Sequence, residues 1–112
     1  MSRSLGDFEQ FVLYALVALK DEAYGAAIHR EIQVRTGRSI LIGGVYTVLD
    51  RLESRGLVES WIGAPTGERG GRRRKYYRLT SGGLVTLRDA HEAFRSMSRG
   101  VERLLARMDG DL

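Results

Sequence analysis

Apolar residues recur at helical spacing in four stretches of this chain. Phe8, Val12, Ala15, Leu16 and Leu19 predict a first helix over about 7–19. Phe11, Val17 and Ala18 are apolar too, so this helix is apolar on more than one side. Such a helix is expected to be buried twice, against its own core and against a partner. After a short turn at Lys20–Ala23, Tyr24, Ala27, Ile28, Glu31 and Ile32 predict a second helix ending near Thr36, with Gly37 in the capping position. Arg38–Ile42 reads as an extended link. Gly43 and Gly44 open a third helix whose inward stripe is Val45, Val48, Leu49 and Leu52, and Gly56 closes it.

The pattern then changes. Leu57–Ile62 holds Val58, Trp61 and Ile62 and reads as a strand. Residues 63–71 contain the single proline and four of the 14 glycines, the clearest break in the chain. Arg73–Leu79 reads as a second strand, with Tyr77 and Leu79 on one face and Tyr76 and Arg78 on the other. Two strands around a glycine-rich tip make a hairpin with a long loop. Thr80-Ser81 suits a helix cap. From about 82 to 108, Leu84, Leu87, His91, Phe94, Ser98, Val101, Leu105 and Met108 follow one another at steps of three and four, a heptad seam on one predicted helix. Gly100 weakens that helix by about 1 kcal/mol relative to alanine. A projecting amphipathic helix calls for a partner to pack on.

Three helices, a hairpin and a final helix make a mainly α chain with a small β-hairpin: a winged helix-turn-helix plus a C-terminal dimerisation helix. The division expected is a DNA-binding domain over 1–80 and a dimerisation helix over 81–112. With 112 residues there is room for one modest core, which itself favours a homodimer.

Charge sharpens the picture. The net charge is +4. Residues 1–42 and 84–112 each balance five basic against five acidic residues, so the whole excess lies in 43–83. Arg69–Arg78 carries six basic residues and no acidic one. A focused basic segment on a balanced chain is the footprint expected of a nucleic-acid binder. In the third helix, inward Val45, Leu49 and Leu52 turn Gly43, Thr47, Asp50 and Ser54 outward and leave Tyr46 and Arg51 on the flanks. Gly44 and its neighbour keep the entering end bare, so backbone N–H groups approach a phosphate. Tyr46 is read as a phosphate donor or a sugar-stacking ring, Thr47 as a base-edge or thymine-methyl contact. Arg51 has two readings, a DNA contact or an ion pair with Asp50 or Glu53. In the wing, Arg69, Arg72, Arg73, Arg74 and Lys75 are the candidate phosphate and minor-groove contacts.

Other chemistry finds little support. The absence of cysteine rules out disulfides, a thiolate zinc site and a thiol nucleophile. His29 and His91 lack metal-ligand spacing, and each reads as a surface or interface residue. Gly67–Gly71 is not followed by Lys-Ser/Thr, no Gly-x-Ser-x-Gly elbow occurs, and the carboxylates fall singly among basic residues. No enzyme, metal or cofactor is expected. No signal-peptide pattern opens the sequence, and Phe11–Leu19 is too short to span a bilayer, so a cytoplasmic protein with no membrane partner is expected.

Three runs carry a family resemblance over roughly residues 5–90. Leu5–Gln10 with Val12-Leu13 and Ala23-Tyr24-Gly25 forms the first. Gly44–Glu53 with Gly56-Leu57-Val58 forms the second, and Gly70–Thr80 the third. Together they resemble the PadR-like transcription regulators, in the short form with one C-terminal helix. The resemblance implies a homodimeric winged-helix protein, usually a repressor, on pseudo-palindromic double-stranded operator DNA. It places the third helix in the major groove and the wing at the flanking minor groove. It implies a dimer built by the last helix with the first, hence an interface of Phe8, Phe11, Leu84, Leu87, His91, Phe94, Val101, Leu105 and Met108. A small-molecule effector at that interface is a further partner the family allows. Relatives that hold flat aromatic effectors use a tryptophan on the last helix, whereas the only tryptophan here, Trp61, is in the wing. His91 on the seam is a candidate sensor of pH or ligand. Two rival readings share the fold: a protein–protein adaptor, and a sequence-neutral nucleic-acid binder. The second is short of an aromatic stacking platform, since Tyr76 and Tyr77 fall on opposite faces of one strand.

Overall fold

The computed structural model describes residues 5–64 and 73–110. Three helices come first: α1 (Asp7–Leu19), α2 (Gly25–Thr36) and α3 (Ile42–Ser54). A single 3₁₀ turn, Lys20–Glu22, links the first two. A two-stranded antiparallel hairpin follows, β1 (Val58–Ile62) and β2 (Lys75–Leu79), then α4 (Ser81–Ser98) and α5 (Val101–Gly110). This is the predicted mainly α winged helix-turn-helix, with one difference at its end.

The core lies where the inward stripes meet. Val12, Leu13 and Leu16 of α1, Ile28 and Ile32 of α2, and Val45, Val48, Leu49 and Leu52 of α3 are buried together with Val58, Tyr77 and Leu87. Leu87 is 4% exposed, so the first half of α4 belongs to this same core. Gly37 ends α2 in the left-handed conformation, as its place in the pattern predicts. Glu9 accepts from the Gly6 N–H at 2.8 Å and meets the Arg55 guanidinium at 3.3 Å, tying the start of α1 to the end of α3. Thr80 caps α4 by accepting from the Gly83 N–H at 3.0 Å, and its own hydroxyl donates to the Gly56 carbonyl at 2.6 Å.

The link before α3 is held at both backbone polar groups of Ile40. The Ile40 N–H donates to Gln33 Oε1 at 2.9 Å, and His29 Nε2 donates to the Ile40 carbonyl at 2.5 Å. His29 is therefore a structural residue that sets where α3 begins, and the carbonyl acceptor requires its proton on Nε2.

The difference lies in the final helix. The predicted continuous segment over 82–108 is two helices, broken at Arg99-Gly100. Gly100 has φ +78, a left-handed conformation that L side chains adopt only at a cost of about 1–2 kcal/mol. A single heptad seam therefore does not run from Leu84 to Met108: Leu84–Ser98 lies on α4, and Val101–Met108 lies on α5 beyond the break.

Candidate nucleic-acid interface

Four residues of α3, Val45, Val48, Leu49 and Leu52, are buried, and the opposite side, with Thr47, Asp50 and Arg51, is open to solvent. Nothing lies within 4 Å of where a Cβ would stand on Gly43 or Gly44, so the first turn of α3 presents bare backbone. Thr47 Oγ1 donates to the Gly43 carbonyl at 3.0 Å. That bond uses the hydroxyl proton, leaving acceptor lone pairs and the methyl group for a ligand. Arg51 makes no ion pair among the described residues. Glu53 instead accepts from the Ser60 hydroxyl at 2.6 Å and joins α3 to the hairpin.

Tyr46 is 45% exposed and lies on the first turn of α2. A Cβ on Gly25 would stand 2.3 Å from its Oη and 2.4 Å from the adjacent ring carbon, so only glycine leaves room for this ring. Tyr46 thus has a fixed seat between α2 and α3, with its outer edge accessible.

The hairpin register pairs Val58 with Leu79, Ser60 with Tyr77, and Trp61 with Tyr76, which assigns side chains to two faces. The inner face lies against α3. Tyr77 is there, 2% exposed, and its hydroxyl titrates above the ordinary value of 10.0, through burial first and then the charges of Asp50 and Glu53 and the neighbouring Tyr46. Lys75 Nζ lies 5.6 Å from the Tyr77 ring centre.

The outer face is a continuous layer of rings and cations. Trp61 stacks on Tyr76 at 5.6 Å with 21° between planes, and Tyr76 meets Tyr24 edge to face at 5.9 Å. The Arg78 guanidinium lies 5.1 Å over Trp61 and the Arg74 guanidinium 4.3 Å over Tyr24. Tyr24 joins through a β-bridge to Tyr76, and the Tyr77 N–H donates to the Ala23 carbonyl at 2.9 Å. Alternation in β2 is as predicted, but the inference that it leaves no aromatic platform is corrected: Tyr76 finds its partners on other segments of the chain. Sequence reasoning does not identify Trp61 and Tyr24 as site residues. The Glu59/Trp61 alternation signals the first; nothing local signals the second.

Among the predicted wing cations, Arg73 and Lys75 are exposed and Arg74 is half-buried. Arg69 and Arg72 lie outside the described residues.

The predicted interface residues divide. Phe94 is 68% exposed, and Leu84, Leu105 and Met108 are also open, while Phe8, Phe11 and Val101 are half-buried. Leu87 is enclosed in the core of its own chain. The exposed His91 is engaged within the chain, its Nδ1 2.7 Å from the Tyr14 hydroxyl on α1. Met97, Val85 and Leu104 are exposed apolar residues that the heptad pattern does not include. A hollow of about 390 Å³ opens between α1 and α2, lined by Phe11, Tyr14, Val17, Ile32, Arg35 and Thr36 among others. Among the described residues, no cluster of three or more His, Asp or Glu side chains is placed to hold a metal, and no helix is long and apolar enough to cross a membrane.

Comparison with known proteins gives a consistent answer. The model of the transcriptional regulator PadR-like family matches residues 12–89. A PadR family transcription regulator of Clostridium difficile is similar in structure, with a TM-score of 0.69 and 31% identity, covering 89% of this chain and 99% of that one. A PadR-like transcriptional regulator of Bacillus cereus gives 0.72 at 26% identity, covering 88% and 90%. An uncharacterized protein of Lysinibacillus sphaericus is 37% identical over 78 residues, 68% of each chain.

Proposed function

Because the chain belongs to the PadR-like family of transcriptional regulators, we propose that it acts as a homodimeric repressor on a pseudo-palindromic operator. The observation that carries this reading is the bare, solvent-open first turn of α3, standing in the one region of the chain with a positive charge excess. In this reading residues 1–80 bind DNA, and the segment over 81–112 makes the dimer together with α1.

Each protomer sets α3 into a major groove, with the two half-sites about one DNA turn apart. Gly44 lets the backbone approach a phosphate. Tyr46, fixed on Gly25, donates to the backbone or stacks on a sugar. Thr47 turns its methyl and lone pairs to a base edge, and Arg51 is available for a phosphate. Arg69, Arg72, Arg73, Arg74 and Lys75 meet the flanking backbone and minor groove. Phe94, Leu105 and Met108 leave solvent when two copies associate, and burying three such side chains stabilises a dimer by roughly 1.5–3 kcal/mol each. Transcription is blocked by occupancy of the promoter, inside the cytoplasm. A small apolar effector bound beside Phe11, in the hollow between α1 and α2, is the signal that releases DNA.

The test is binding of the purified protein to its own upstream promoter fragment and to a scrambled duplex across several salt concentrations. Selective binding that weakens steeply with salt is expected. Equal binding to both duplexes favours the sequence-neutral reading, and no binding even at low salt favours the adaptor.

A further inference from the structure

Side chains alternate between the faces of a strand, so Val58, Ser60 and Ile62 share the face of the hairpin turned to α3, with Leu79, Tyr77 and Lys75 across from them. Along that face burial ends abruptly. Val58 is 2% exposed, and Ser60 donates to Glu53 of α3 at 2.6 Å. Ile62, one step further toward the loop that joins the strands, is 56% exposed. Lys75 pairs with Ile62 in the register and is exposed too. Its Nζ lies 5.6 Å from the Tyr77 ring centre, which keeps the ammonium on this same face. Tyr77 in turn lies near enough to Asp50, Glu53 and Tyr46 of α3 for their charges to act on its hydroxyl. Ile62 and Lys75 therefore flank the notch between α3 and the root of the wing.

One sugar–phosphate strand separates the two grooves of a duplex. A helix in the major groove and a wing at the flanking minor groove straddle that strand, which then runs through the notch between them. The strand alternates anionic phosphates with the C–H surface of deoxyribose, and an apolar side chain beside a cation matches both. Isoleucine is branched at Cβ and stiff at χ1, so it loses little rotamer freedom on contact. We propose that Ile62 is a sugar contact: it packs against a deoxyribose of the strand between the two grooves, while Lys75 meets the adjoining phosphate. Such a contact positions the wing and reads no sequence. This rests on the DNA-binding reading above.

Salt dependence separates the two partners, because an apolar contact releases no counterions. The test uses a mixed-sequence duplex, since a backbone contact needs no operator. Burial of the exposed half of one isoleucine side chain is at stake, so Ile62→Ala is expected to lower affinity about four- to tenfold for each protomer bound. The slope of log affinity against log salt should stay that of the wild type. Lys75→Met should instead lower the slope by about 0.9, the value for one phosphate. Melting curves check that each variant is folded. If Ile62→Ala does not fold, Ile62→Thr, which keeps the branched strand-forming shape, takes its place under the same criteria. Wild-type affinity in the Ile62 variant, a flattened slope in it, or an unchanged slope in Lys75→Met overturns this contact while leaving DNA binding intact. Absence of duplex binding by the wild-type chain at low salt overturns both.

Discussion

Gly25→Ala displaces Tyr46 without altering it, which separates the seat of the ring from its chemistry. The new methyl would stand 2.3 Å from Tyr46 Oη and 2.4–2.5 Å from two ring carbons, well inside van der Waals distance. The ring, exposed along one edge, is the part that yields, so the backbone of α2 stays in place. Residue 25 has an ordinary helical conformation, and alanine is intrinsically favoured over glycine in a helix by about 1 kcal/mol. That gain offsets part of the forfeited ring packing, and thermal stability is expected to move little. DNA binding moves more. If Tyr46 donates to a phosphate, a hydrogen bond to a charged group contributes about 1.5–3 kcal/mol. Its removal weakens operator binding roughly ten- to a hundredfold or more. The assay is a titration of labelled operator by Gly25→Ala, Tyr46→Ala and the double variant, with melting curves alongside. The double variant is expected to bind no more weakly than Tyr46→Ala alone. Wild-type affinity and selectivity in Gly25→Ala would refute the reasoning, because it would mean the position of Tyr46 is immaterial to DNA.

Three further outcomes are expected. Replacing Arg72, Arg73 and Arg74 by alanine weakens operator and scrambled duplex alike and flattens the salt slope by up to about 0.9 for each phosphate no longer neutralised, read from fluorescence anisotropy at stepped salt. Phe94→Glu places a charge on an exposed α4 residue and is expected to give a folded monomer in sedimentation velocity with weakened operator binding; an unchanged dimer would remove Phe94 from the interface. Tyr77 binds its proton more tightly folded than unfolded, so its contribution to stability is complete below pH 10.0 and is lost as pH rises from there through the folded value. Denaturant titrations from about pH 9 to 11, bracketing the ordinary tyrosine value, should show that decline, and Tyr77→Phe should abolish this part of it.

The helices are legible in the sequence because each inward stripe is long and its ends are marked. The predicted limits of the first helix, 7–19, coincide with α1, and the stripe Val45, Val48, Leu49 and Leu52 is buried as its spacing requires. The break at Gly100 is not legible. Heptad steps of three and four continue across it, and a propensity cost of about 1 kcal/mol does not distinguish a weak helical glycine from one at φ +78. The seam also mixes environments: Leu87 lies in the chain's own core while Phe94, seven residues later, is open. His29, expected at the surface or an interface, anchors a backbone group instead. Its acceptor, the Ile40 carbonyl, has no signature in the pattern.

The wing shows most clearly what periodicity omits. Alternation correctly separates Tyr76 from Tyr77; that Tyr77 faces the core and Tyr76 the outside comes from the structure. It is silent on a third strand-like segment, reduced here to Tyr24, that lies 52 residues earlier. That one backbone bridge turns an isolated tyrosine into the centre of a layer with Trp61 and Tyr24, and it connects the basic hairpin to the helix that carries Gly25. Gly25 in turn makes room for Tyr46 on α3. The reading helix and the wing are thus both registered on the first turn of α2, Tyr46 on one residue and Arg74 on the residue before it. A shift of that turn would move together the two elements proposed above to contact DNA.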